Sequence, residues 1–259
     1  MPSYSDYLKL EQLLSLQQPV SKGPEHDETL FIIVHQVYEL WFKEIVHELD
    51  YLQTLLDKRD TPRALHTLKR ILTILKVLVA QIDILETMTP LEFLSFRDRL
   101  ESGSGLQSWQ FREVEFALGV KNKSVIERYA PGSVARRALE QRYQGRTLWD
   151  AFLRYLAAEG HDVPKGALTR DITQSIEPSP DVQRMLISIY RNHPTVAEFC
   201  ERLVDLDEGM QEWRYRHVKM VERTIGNKQG TGGSAGAQYL RGTLSKPAFP
   251  DLWAIRTEL

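Results

Sequence analysis

The chain has 259 residues, and its 33 Lys+Arg against 35 Asp+Glu give a formal charge of −2. That balance excludes the basic footprint of a phosphate-tracking nucleic-acid binder. With 42% apolar and 26% charged residues, a disordered or collagen-like chain is excluded as well.

Cys200 is the only cysteine, so no disulfide framework forms within the chain and a reducing compartment is expected. Met1-Pro2-Ser3-Tyr4 has neither the basic start nor the apolar run of a signal peptide. Leu30 to Phe42 and Ile71 to Leu85 are the most apolar stretches, and both are interrupted short of the roughly 20 residues of a bilayer span. A cytoplasmic protein with no membrane partner and no nucleic-acid partner is expected.

Leu30, Val34, Val37, Trp41, Ile45, Leu49, Leu52 and Leu56 advance by threes and fours, which predicts one long helix with a buried face. Asp27 and Glu28 stand where acidic residues favour a helix start. A second helix is predicted from near Pro62 to about Glu86, and Thr89-Pro90 marks a break and a fresh start. Shorter helical patterns cover about 107–118, 133–143, 147–159 and 181–191, while the Gly- and Pro-containing stretch 160–180 reads as loop. The cleanest pattern is the last: Val196, Phe199, Leu203, Leu206, Met210, Trp213, His217 and Met220, with Pro194 suited to the first turn and Gly226 to the end. No alternating strand pattern and no internal repeat interrupts the series. One all-α domain over 1–259 is expected.

His217 occupies an interior slot of that final apolar stripe. Such a histidine is either a core residue satisfied by a carbonyl or an axial ligand facing an apolar cavity. Arg214 and Arg216 beside it are candidates for binding carboxylates. His35 poses the same choice, since Phe31, His35 and Phe42 share a face distinct from the Leu30–Trp41 stripe. A helix apolar on two faces is buried on both, or lines a cavity on one.

Other metal chemistry fits poorly. Glu44-Ile45-Val46-His47 is a single Glu-x-x-His, whereas di-iron bundles need two, and His47-Glu48 lacks the second histidine of a zincin. Cys200 beside Phe199 reads as an inert buried thiol.

The segment 226–236 holds five glycines in eleven residues. No strand precedes it, which removes a dinucleotide-binding reading, and no Gly-Lys-Ser/Thr is present for a P-loop. A mobile loop that closes over a small anion or zwitterion remains. Arg97, four residues after Phe93 on one helical face, is either a surface arginine or a carboxylate clamp.

Taken together, five blocks resemble the tryptophan 2,3-dioxygenase family. They are Tyr4-Ser5-Asp6-Tyr7-Leu8; Glu25-His26-Asp27-Glu28 through His35-Gln36 to Glu39-Leu40-Trp41; Leu85-Glu86-Thr87-Met88-Thr89-Pro90 through Phe96-Arg97-Asp98; Trp213-Arg214-Tyr215-Arg216-His217; and Gly230-Thr231-Gly232-Gly233-Ser234. Their order and spacing make the likeness specific, and it is weak over roughly 120–190. The resemblance implies a cytosolic, all-helical homotetramer that binds haem b non-covalently. With ferrous haem and O2 as co-substrate, it would convert L-tryptophan, or a close indole amino acid, to the N-formylkynurenine product.

Position by position, the resemblance makes His217 the axial ligand of the haem iron, with Ser104 and Gly105 on the haem side. It makes His35 the distal catalytic-site histidine facing the indole N–H, with Phe31 packed on the ring and Phe93 beside it. Arg97 would hold the substrate carboxylate and Thr231 its amino-acid group. Tyr4, Tyr7 and Leu8, within an N-terminal segment of about 1–20, would reach a neighbouring subunit's pocket. Leu106 stands where the family usually has phenylalanine, Trp109 follows it, and Ile82 replaces a tryptophan of some bacterial relatives. The runner-up enzyme is a relative adding one oxygen to a substituted tryptophan, and an alternative of a different class is a non-catalytic haem-binding sensor. Intact Arg97 and Thr231 argue against the sensor.

Overall fold

The structure, a computed structural model, describes residues 1–23, 25–101, 103, 105–230 and 237–259, and these contain helices and loops with no strand among them. The chain opens with α1 (Tyr4–Leu8) and α2 (Leu10–Leu14), separated by Lys9 in the left-handed region (φ 53°). Neither helix buries a residue, which is why the apolar pattern does not announce them.

α3 (His26–Asp57) and α4 (Thr61–Leu85) follow as an antiparallel hairpin. The Asp60 carboxylate caps α4 by accepting the Arg63 N–H at 3.2 Å, and Pro62 fits the first turn without losing a bond. At Thr89-Pro90 the expected restart is a capping box: Thr89 and Glu92 bond each other's backbone amides and open α5 (Pro90–Arg97).

α6 (Trp109–Leu118) ends at Gly119, whose φ of 103° closes the helix. α7 (Lys123–Ile126) and α8 (Val134–Gln144) pack on α6 through a small cluster of Phe116, Val125, Ile126 and Leu139. α9 (Leu148–Ala158) returns to the main core; α10 (Lys165–Leu168) is a single turn inside the expected loop region. α11 (Pro180–Asn192) and α12 (Pro194–Ile225) bracket the core's far side, and α13 (Ala237–Arg241) and α14 (Pro250–Ala254) finish the chain.

The core is the seam where α4 packs between α3 and α12. Leu49, Leu52, Leu68 and Leu203 are 0% exposed there, each contributing about 1.5–3 kcal/mol of transfer energy. One detail of the expected α3 stripe needs correction. Val34, Ile45, Leu49, Leu52 and Leu56 are buried, but Leu30, Val37 and Trp41 are half-buried, and Tyr38 and Phe42 take the inner positions in that half. The reason is the cavity: α5, α6 and α12 enclose a space beside the N-terminal half of α3, where Tyr38 also donates to the Leu78 carbonyl of α4 at 2.8 Å.

Buried carboxylates fasten the chain's later segments. Asp207 on α12 accepts the Phe249 N–H and the Trp253 indole N–H, both at 3.0 Å. Asp251 accepts the Ser179 N–H at 2.7 Å and the Gln183 amide at 2.8 Å. These bonds hold α14 against α11 and α12, and α12 is the helix that carries His217.

Candidate active site

The cavity encloses about 250 Å³ and is lined mainly by α3, α5, α6 and α12. It brings together six of the expected site residues: Phe31, His35, Phe93, Arg97, Gly105 and His217. Tyr4, Tyr7 and Leu8 lie outside it, on the exposed face of α1. Ser104 and Thr231 lie outside the described residues, as does most of the glycine segment; Gly230 at its start reaches the cavity wall.

His217 is set by α12. Its ring lies parallel to that of Trp213, one turn earlier, with centroids 5.2 Å apart and 4° between planes. Trp213 is itself held by edge contacts with Tyr38 and Phe42 and a tilted contact with Phe111. The orientation of the imidazole is thereby fixed from behind. Among the described residues it has no hydrogen-bond partner, so the core-histidine reading, which requires a carbonyl, is not met.

The His217 ring keeps some surface facing the cavity yet is surrounded by protein at longer range. Burial first, then the neighbouring His35, pushes its pKa down to about 4. A neutral, oriented, unpartnered imidazole facing an apolar space is the donor that an axial haem site needs, so the residues present fit the group. No cluster of three or more His, Cys, Asp and Glu side chains that could hold a metal ion occurs among the described residues.

His35 sits across the cavity on α3. Its Nδ1 lies 2.7 Å from the Phe31 carbonyl oxygen, which can only accept, so Nδ1 carries the proton and Nε2 is left as an acceptor. Burial holds its pKa below the usual histidine value, against the raising effects of that bond and of Glu39. Phe31 packs on the imidazole at 4.0 Å and meets Phe93 and Phe96 at 5.8 and 5.5 Å, forming an aromatic wall.

Arg97 closes this end. Its Nη2 donates to the Gln229 carbonyl, which ties α5 to the start of the glycine segment. Its Nε is buried and has no hydrogen-bond partner among the described residues, a donor left available for an anion.

Some site features were not legible from the sequence. Glu115, buried on α6, bridges Arg112 (Nη1–Oε2 2.5 Å) and Arg214 (Nη2–Oε1 3.2 Å) at the cavity wall. Arg216 is occupied by Asp83 and Glu86. The two arginines flanking His217 are thus structural ion-pair partners, correcting the expectation that they are available for a substrate carboxylate. The charged residues on the buried face of α6 were the signal to follow. Of the family departures, Ile82 and Leu106 line the cavity, whereas Trp109 packs into the α6–α8 cluster.

The sequence profile of the tryptophan 2,3-dioxygenase family matches residues 2–148 and 133–259. The chain belongs to the tryptophan 2,3-dioxygenase family. It is 60% identical to the tryptophan 2,3-dioxygenase of Herpetosiphon aurantiacus over 257 residues, covering 99% of this chain and 98% of that protein. The same-named proteins of Anaeromyxobacter sp. strain K and Caulobacter vibrioides are 55% and 42% identical, over 99% of this chain and 96% and 98% of theirs. Identity over nearly the whole length extends through the weakly recognised stretch 120–190. No helix is long and apolar enough to cross a membrane, among the described residues.

Proposed function

We propose that this chain is a haem-dependent oxidoreductase that inserts both atoms of O2 across the indole C2–C3 bond of L-tryptophan, giving N-formyl-L-kynurenine in tryptophan catabolism. What carries the reading is the convergence on one aromatic cavity of a neutral imidazole without a described partner, an imidazole with a free acceptor nitrogen, and a guanidinium whose buried Nε has no partner among the described residues. Relatives at 54–60% identity over nearly the whole chain bear that activity's name.

His217 would hold haem b through its iron, and the group would supply the activation of O2. The protein's share is orientation and exclusion of water. His35 Nε2 accepts the indole N–H, and Phe31 and Phe93 fix the ring plane. Arg97 pairs with the α-carboxylate through its free Nε donor, and Thr231 binds the amino-acid group. Ser104 and Gly105 border the haem. His35 acts as a neutral acceptor, so no strong general base is required.

The chain works as one domain in the cytoplasm, in a homotetramer where Tyr4, Tyr7 and Leu8 complete a neighbour's cavity. Haem reconstitution, anaerobic reduction, then tryptophan and isotopically heavy O2 test the reading. Product carrying two heavy oxygen atoms supports it; one heavy atom means a mono-oxygenase, and haem uptake without tryptophan-dependent O2 consumption means a sensor.

A further inference from the structure

Residues 1–23 form an arm whose apolar side chains face solvent: Tyr4 and Tyr7 are each 75% exposed and Leu14 is 72% exposed. Its root is fastened to α3 at two points. Glu28 occupies the third helical position, where a glutamate ordinarily turns back to the amide of its own helix cap. Here the Glu25 N–H donates instead to the Gly23 carbonyl at 2.9 Å, and the Glu28 carboxylate reaches outward. Oε1 accepts the Val20 N–H at 2.7 Å and Oε2 accepts the Ser21 N–H at 3.2 Å, with Glu28 only 1% exposed. Two turns further on, Gln36 donates to the Leu16 carbonyl at 3.2 Å and accepts from the Gln17 amide at 2.5 Å.

The place of this fastening matters. Glu28 and His35 are seven residues apart and therefore on one stripe of α3, separated by about 10 Å along the axis. Phe31 lies between them. The arm is thus secured on the same stripe that carries the two aromatic rings of the cavity, with its apolar helices held clear of its own subunit. A carboxylate that binds two consecutive backbone amides sets the chain's direction as well as its position.

We propose that Glu28, with Gln36, is a positioning residue that aims the arm, so that α1 is delivered to the cavity of a second copy of this chain. The proposal rests on the reading in which Tyr4, Tyr7 and Leu8 complete a neighbour's site. Without the fastening, the untethered stretch between α1 and the body lengthens, and the effective concentration of α1 at the neighbouring cavity falls. Chemistry at the haem, once substrate is bound, does not involve Glu28.

The test uses the haem-loaded enzyme with Glu28→Ala, the milder Glu28→Gln, Gln36→Ala, and separately a deletion of residues 1–8. Haem content, KM and kcat for tryptophan are measured, together with the rate of limited proteolysis within residues 1–22. Glu28→Ala is expected to raise arm cleavage about tenfold and KM severalfold, with kcat and haem content little changed. Glu28→Gln, which keeps one acceptor oxygen, and Gln36→Ala should fall between; they carry the test if the alanine variant at 28 does not fold. Unchanged cleavage and KM in haem-loaded Glu28 variants would overturn the proposal. If the deletion raises KM while the Glu28 variants do not, the fastening is refuted and the arm reading stands. If the deletion itself leaves KM unchanged, the arm reading fails and the proposal falls with it.

Discussion

The His35 Nδ1–H is donated to the Phe31 carbonyl, four residues earlier on the same helix, at 2.7 Å. This one bond fixes the tautomer, turns Nε2 toward the cavity as an acceptor, and leaves the Phe31 ring packed on the imidazole face. His35→Ala removes a neutral hydrogen bond to the indole, so kcat/KM should fall roughly two- to fifteenfold with haem retained. Abolition of activity in folded, haem-loaded protein would assign His35 a larger role. Since burial lowers its pKa from 6.5, the neutral acceptor persists as pH falls through that value. The pH profile of kcat/KM should therefore show no loss centred there.

His217 stacks on Trp213 and has no described hydrogen-bond partner. Its replacement by alanine should abolish stable haem occupancy, measured as the ratio of haem absorbance to protein. Full occupancy in His217→Ala would require another ligand.

Lys121 is 8% exposed and donates to three carbonyls beyond and at the end of α8: Arg142 at 2.7 Å, Tyr143 at 2.9 Å and Gly145 at 3.0 Å. Lys121→Met leaves these acceptors buried without a cation and should cost about 2–4 kcal/mol of stability in denaturant unfolding. An unchanged midpoint would show that water replaces the ammonium at no cost.

Cys200 is 0% exposed, and burial pushes its thiol up to about 12. A thiol reagent at about pH 8 should leave the native protein unlabelled and react only on unfolding. Fast labelling of native protein would mean that α12 opens locally.

Elements bounded by a sequence-local signal were legible: Pro62, Thr89-Pro90 and the span from Pro194 to Gly226 are helix boundaries in the structure. Periodicity reports burial, so α1 and α2, which bury nothing, escaped it. At the candidate site, Phe31, His35, Phe93, Arg97 and His217 line one cavity, as the family blocks led one to expect; His35, Arg97 and His217 also stand out as polar residues on apolar helix faces. The Arg214–Glu115 pair was not legible, because its partners are 99 residues apart and neither is unusual in its own helix. The same holds for Glu28, which reads as an ordinary helix-start acid until its bonds to Val20 and Ser21 are seen. Thr231 and Ser104 rest on the family likeness.

In the proposed function this cavity reads an amino acid by its carboxylate as well as its indole. The decisive measurement is kcat/KM for tryptophan and for tryptamine, its decarboxylated analogue, in the parent protein and in Arg97→Leu. Breaking a buried ion pair costs about 3–5 kcal/mol, so the variant should lose tryptophan turnover by two to nearly four orders of magnitude, roughly. Tryptamine, expected to be a poor substrate for the parent because it offers no carboxylate, should lose far less. Equal losses for the two compounds, or equal turnover of both by the parent, would contradict the account.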